Sequence, residues 1–160
     1  MAEEYSQGTP KEQLKANAIL FSALFVGVII FLLLAVVLIK FNGKFSDNDD
    51  LDKILLVVVS IIAAICLVSA FSIYKRQING LVNSVLPLTE KLNNYRAILI
   101  VYLALCEGAA LFSIISLILT GNFWSIAVTA TMLAAMLIKR LSRQRVINEL
   151  QLDWQEQQEL

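Results

Sequence analysis

The chain has 160 residues and no histidine. That removes the commonest general base and the commonest transition-metal ligand. Only two cysteines occur, Cys66 and Cys106, each inside an apolar run. They form no CxxC pair, so no metal or redox motif is present, and both read as buried, inert thiols. Gly27, Gly43 and Gly80 stand isolated, which excludes a glycine-rich loop for phosphate. The serines are scattered, with no histidine to activate them. Charged residues make up 16% and cancel to zero net charge, against the ~25% charged of an ordinary soluble domain, so overall charge gives no reason to expect a nucleic-acid partner. The densest group of carboxylates is the segment "DNDDLD" at 47–52. That segment lacks the glycine and the distal glutamate of an EF-hand loop and reads as a solvated loop that starts a helix. The sequence is not read as an enzyme, and no cofactor or metal centre is expected.

What the chain does have is hydrocarbon. It is 58% hydrophobic with a mean hydropathy of +0.73, against roughly 45–50% apolar in soluble domains. A domain of this length leaves much of its surface wet, so that composition points to lipid as the surrounding solvent. Four apolar runs stand out: Ala16–Ile39, Ile54–Tyr74, Ala97–Leu119 and Phe123–Ile138. About 20 residues cross a ~30 Å hydrocarbon core. The first three runs meet that length and the fourth is short. The first is also longer than the ~7–15-residue core of a signal peptide, so it reads as a retained span. Backbone groups in lipid must be satisfied within the segment, which makes these runs helices. The expected fold is therefore all-α, an integral membrane bundle of four transmembrane helices in two hairpins. It forms a single membrane domain over residues 1–160.

The connections add detail. Lys40–Lys53 is polar and acidic, with an Asn-Gly turn signal. "TGN", Thr120–Asn122, is tight enough to make spans three and four an antiparallel hairpin, and Trp124 beside it suits the water interface. Lys75–Arg96 carries Ile78, Leu81, Val85, Leu88, Leu92 and Tyr95 at helical spacing. This predicts an amphipathic connector with a short helix or bend before Pro87, then a helix starting there and entering span three. The tail, 139–160, is expected to continue helix four as an amphipathic helix, with Leu141, Val146, Ile147, Leu150 and Trp154 on one stripe. The first ten residues and the last few are expected to be loose.

Basic residues set an orientation. Lys11, Lys15, Lys75, Arg76, Lys91, Arg96, Lys139, Arg140, Arg143 and Arg145 fall on one side of a four-span chain, and only Lys40, Lys44 and Lys53 on the other. By the positive-inside rule both termini are expected in the cytoplasm.

Glu107 stands near the centre of span three. A charge there costs about 2.5–3.5 kcal/mol on insertion scales, a cost that a protonated carboxyl largely avoids. Such a group is expected to face the bundle or a water path. Ala104 and Gly108 form a small-xxx-small pair, and Ala109 and Ala110 follow, so another helix can approach closely. Ala104, Gly108 and Ala110 are the expected close-packing positions. Ser60, Ser69, Ser72, Thr129 and Thr131 are available as polar partners for Glu107.

Around Glu107 the segment "LALCEGAALFSIISLIL" resembles the carboxylate-bearing helix of proteolipid (c-type) subunits of rotary ATPases, a resemblance that implies a proton-binding role for Glu107. Span two lacks the alternate glycines of the partner helix in those subunits. More of the chain resembles small four-span bacterial inner-membrane proteins, through Arg96, Ala97, Glu107, Gly108, Ala110, Leu111, Phe112, Thr120, Gly121 and Asn122. That resemblance implies a multi-pass protein of the bacterial inner membrane. The expected function is a small scaffold, accessory or assembly subunit, the alternative being a proton- or ion-translocating subunit that uses Glu107. The expected partners are the lipid bilayer and either further copies of the chain or other membrane subunits.

Overall fold

In the computed structural model, which describes residues 10–45, 49–140 and 143–159, the chain is all-helical. Three long helices come first: α1 (Pro10–Asn42), α2 (Asp49–Val82) and α3 (Leu88–Thr120). A shorter α4 (Trp124–Ile138) follows, then α5 (Arg143–Leu150) and a brief α6 (Trp154–Glu159).

Each boundary has a local cause. Asn42 ends α1, and the following Gly43 takes a left-handed φ of 77° and donates its N–H to the Ile39 carbonyl at 2.8 Å. Gly121 ends α3 in the same way, with φ 66° and its N–H on Leu117 O. Both use the one residue type for which that conformation is unstrained. Asp50 and Asp52 lie in the first turn of α2, where carboxylates offset the helix dipole. Pro87 stands immediately before α3 in extended conformation, and its carbonyl accepts from Glu90 and Lys91 N–H at 3.0 Å each.

A helix starts after Pro87 and enters span three, as expected; the difference lies before it. α2 runs unbroken through Lys75 to Val82, and α3 already includes Leu88–Arg96, so the link shrinks to 83–87. Without a proline or glycine pair before Asn83, nothing interrupts the α2 backbone. The apolar stripe itself holds: Ile78, Leu81, Leu88, Leu92 and Tyr95 are buried, while Val85 in the link is fully exposed.

α3 is the axis. It packs against α1, α2 and α4, and 50% of its apolar stretch is buried, against 11% for α1 and 17% for α2. The outer faces of α1 and α2 therefore present Ile19, Ile30, Leu33, Ile54, Ile65 and Val68 outward. Contiguous apolar surface of that extent is not tolerated on a water-soluble monomer. Three helices, Lys15–Asn42, Asp50–Val82 and Leu88–Thr120, are long and apolar enough to cross a membrane.

α4 folds back along α3. Ser113 Oγ donates to Ser125 O at 2.8 Å and Tyr102 Oη to Ala135 O at 3.0 Å. Chain positions thus fall on one helix as they rise on the other, which makes the pair antiparallel, as the tight link predicts. The core has two parts. One holds Val28, Ala35, Ala63, Ala109, Ala110, Ile114, Leu117 and Met132. The other, toward the chain's end, gathers Tyr74, Tyr95, Tyr102, Met136, Val146 and Leu150 with their neighbours.

The tail departs from the continuous helix expected. α4 stops at Ile138, and α5 turns back onto α2. Val146 and Leu150 are buried and Ile147 is half-buried, but Trp154 is 74% exposed. Leu141, Asp47, Asn48 and the stretch before Pro10 lie outside the described residues.

Candidate functional site

Among the described residues, Glu107 on α3 and a cluster around Glu149 on α5 carry side chains that an apolar bundle does not need for packing.

Glu107 is partly exposed and has no hydrogen bond or ion pair among the described residues. Ala104 and Gly108 are exposed beside it. A Cβ built on Gly108 meets nothing within 4 Å. Among the described residues no other helix makes a close approach at Gly108. Ala109 and Ala110 are the small residues that α3 buries, with Ala110 fully covered. Three of the five anticipated hydroxyl partners are otherwise engaged. Ser60, Thr129 and Thr131 donate to the carbonyls of Leu56, Ser125 and Ala127, four residues back in their own helices. This is the bond that a serine or threonine makes most readily in an apolar helix.

The second cluster escapes a reading of the spans alone. Glu149 Oε2 accepts from the Tyr74 hydroxyl and from Tyr95 Oη at 2.9 Å. Glu149 Oε1 accepts from Lys139 Nζ at 3.1 Å and lies 3.4 Å from Arg145 Nε. Lys139 Nζ also stands 4.0 Å over the centre of the Tyr74 ring, in cation–π geometry. Arg145 Nη1 reaches the carbonyl of Ile138, at the end of α4, and that of Arg140 at 3.4 Å, supplying the donors and the positive charge that a helix C-terminus wants. Four elements thus meet at one carboxylate: α2 through Tyr74, α3 through Tyr95, the α4 terminus through Lys139, and α5 itself. Burial alone would push the Glu149 carboxyl up. The hydrogen bonds from Tyr74, Lys139 and Tyr95, with the Lys139 charge, outweigh it and hold the group below the ordinary glutamate range.

The Arg145–Glu149 spacing of four and the tyrosines at the inner ends of spans two and three are the available sequence signals. They become informative only once α5 is known to double back. The chemistry of the cluster is structural, since each oxygen of Glu149 is occupied by donors from the chain. Beside it opens a groove of about 310 Å³ lined by Phe71, Tyr74, Lys75, Ile78, Asn79, Lys139 and Glu149. At the opposite end of the bundle, Lys44 pairs with Asp52 at 3.9 Å. Among the described residues no three His, Cys, Asp or Glu side chains converge as metal ligands.

These features define a class: an all-helical protein with three helices of membrane-crossing length, a carboxyl on its central helix with no partner among the described residues, and a tail latched by half-buried ionic contacts. Comparison with protein families, with curated proteins and with solved structures finds no match to this chain.

Proposed function

We propose that this chain is a multi-pass protein of the bacterial inner membrane that serves as a small scaffold or assembly subunit. In this reading it takes a transmembrane helix of another subunit against the outward face of α3. No catalytic step is part of the proposal. The observation that carries it is Glu107, partly exposed and unpartnered, between exposed Ala104 and Gly108, while the other sides of α3 are covered by α1, α2 and α4. Lipid gives a carboxyl no hydrogen bond. A second helix that approaches closely over Ala104 and Gly108 provides one and excludes acyl chains from the polar group.

Four crossings are part of the proposal. α4 has 15 residues, about 22 Å at 1.5 Å per residue, short of a ~30 Å core. Two features support a crossing. Ala135 pairs with Tyr102, and Lys139 just beyond it meets the carboxylate that Tyr95 binds, so α4 ends level with the start of the apolar part of α3. The basic residues Lys75, Arg96, Lys139 and Arg145 belong to that end, which the positive-inside rule assigns to the cytoplasm.

A second reading, proton or ion translocation, draws on the same unpartnered carboxyl. Two measurements in native membranes test the pair. Ala104→Cys should form a disulfide or cross-link to another membrane helix, whereas Ile19→Cys on the outer face of α1 should not. A purely monomeric Ala104→Cys protein would overturn the scaffold reading. Glu107→Gln should keep the cross-link, because an amide still hydrogen-bonds. If the variant keeps the cross-link but loses a proton flux that the wild-type chain carries in vesicles, translocation is the function.

A further inference from the structure

The groove beside Glu149 runs along one face of α2. Phe71, Tyr74, Lys75, Ile78 and Asn79 are spaced by three and four residues, so they share that face. The far wall is the end of α4, through Lys139, and α5, through Glu149. We propose that this groove binds the phosphate headgroup of an anionic phospholipid.

Its place along the helix comes first. No charged residue occurs in α2 between Lys53 and Lys75. Lys75 therefore marks where the apolar stretch ends. Phe71 lies one turn inside that mark and Asn79 one turn outside it, a span of about 12 Å at 1.5 Å per residue. An occupant of this groove meets hydrocarbon at one end and water at the other, which is where a phospholipid headgroup sits.

Charge comes second. Among the described residues Glu149 is the only carboxylate on the groove wall, and its two oxygens are occupied by Tyr74, Tyr95, Lys139 and Arg145. One carboxylate against two cations leaves that cluster with one net positive charge. Lys75 adds another, exposed and with no hydrogen bond or ion pair among the described residues. Lys139 uses one N–H on Glu149 and rests on the Tyr74 ring, so its ammonium keeps donor capacity. A phosphate diester in the groove would take the Lys75 and Lys139 ammonium groups as its cationic partners, and the Asn79 amide at the outer end offers a donor to the headgroup.

The apolar wall comes third and separates lipid from free phosphate. Phe71 is exposed and continues the groove toward the hydrocarbon side. An inorganic anion gains nothing from it, whereas an acyl chain covers it. Basic pockets between transmembrane helices at a membrane boundary are suited to such headgroups. A volume near 310 Å³ lies at the lower end of ligand-sized cavities, enough for a headgroup with the chains left outside.

The test uses the full chain purified in a neutral detergent, with native mass spectrometry reading the lipid retained. Phosphatidylglycerol should be retained as one copy per chain in preference to phosphatidylcholine, and inorganic phosphate in large excess should not displace it. Lys75→Gln should weaken retention about fivefold, the effect of one lysine near a lipid surface. Arg76→Gln, exposed on the neighbouring position but outside the groove, should change it less than twofold. Asn79→Leu, which alters no charge, should also weaken it. Three results would overturn the proposal: equal retention of phosphatidylcholine, displacement by inorganic phosphate, or equal losses from Lys75→Gln and Arg76→Gln. The last would mean that the field of the basic end attracts lipid without a site.

Discussion

Tyr95 Oη lies 2.9 Å from Glu149 Oε2, joining the start of the central helix to the short helix that follows the bundle. Tyr74 donates to the same oxygen, so one carboxylate holds α5 against both α2 and α3. Removing the acceptor leaves two phenolic hydroxyls and the Lys139 ammonium without their shared partner. Hydrogen bonds to charged groups contribute about 1.5–3 kcal/mol each way. Glu149→Ala should therefore cost about 2–3 kcal/mol and release α5, which amide hydrogen exchange across 143–150 would report as lost protection. Unchanged protection in that segment would mean that Val146 and Leu150 hold α5 on their own.

The same carboxylate sets a pH dependence. Its folded-state value is depressed by the tyrosine and lysine donors, which prevail over burial. A group depressed on folding contributes stability that is complete above its unfolded value, about 4.3 for glutamate, and is lost as pH falls through the lower folded value. The tail should stay latched from neutral pH down to the ordinary glutamate range and let go below it. Exchange of the 143–150 amides measured against pH should show this loosening in the wild-type chain. In Glu149→Gln the acid-dependent part should vanish, and a surviving acid transition of the same size would assign the titration to another group.

Much of this architecture can be read from residue order, and the reason is solvent. In an apolar medium each span must satisfy its own backbone, so Ala16–Ile39, Ile54–Tyr74 and Ala97–Leu119 are legible as helices without any knowledge of what they touch. The Thr120–Asn122 turn is legible for a similar reason, because three residues admit few paths. Side-chain partnership is a different matter. A 3-4 pattern shows that Ile78, Leu81 and Tyr95 share stripes, but not that α2 continues straight to Val82 and leaves Val85 bare. Glu107 shows the limit most clearly. Small neighbours announce a close contact, yet of the expected positions Ala104, Gly108 and Ala110 this chain buries only Ala110, together with Ala109. A rotation of about 100° per residue turns Ala104 and Gly108 outward. The Glu149 cluster depends on the break after Ile138, where basic residues read equally well as a continuing helix.

The turn between α3 and α4 is a sharp site for a backbone test. Gly121 has φ 66°, and an added Cβ would stand 3.1 Å from Lys44 Cβ. A left-handed conformation costs a residue with a Cβ roughly 1–2 kcal/mol, and Lys44 must also give way by a few tenths of an ångström. Gly121→Ala should lower stability by about 1–2 kcal/mol, read as a drop in the unfolding midpoint in detergent. Gly43→Ala has the same φ penalty with φ 77° but open space around its Cβ, so it should cost less. Equal losses at the two glycines would show that the Lys44 contact carries no weight.

Gly108 separates what the fold needs from what an outside helix needs. A Cβ there meets nothing within 4 Å, so Gly108→Leu has room within the chain. It also gains most of the ~0.8–1 kcal/mol of helix propensity that separates glycine from alanine. The isolated chain should be as stable as the wild type or slightly more so. A docked helix would feel the change quite differently, because a leucine holds the two backbones apart where glycine lets them approach. In native membranes the Ala104→Cys cross-link should therefore fall to a small fraction of its wild-type yield, while the unfolding midpoint is kept. Loss of both would place Gly108 in the chain's own packing, and retention of both would mean that the outside helix docks over Ala104 without a close approach at Gly108.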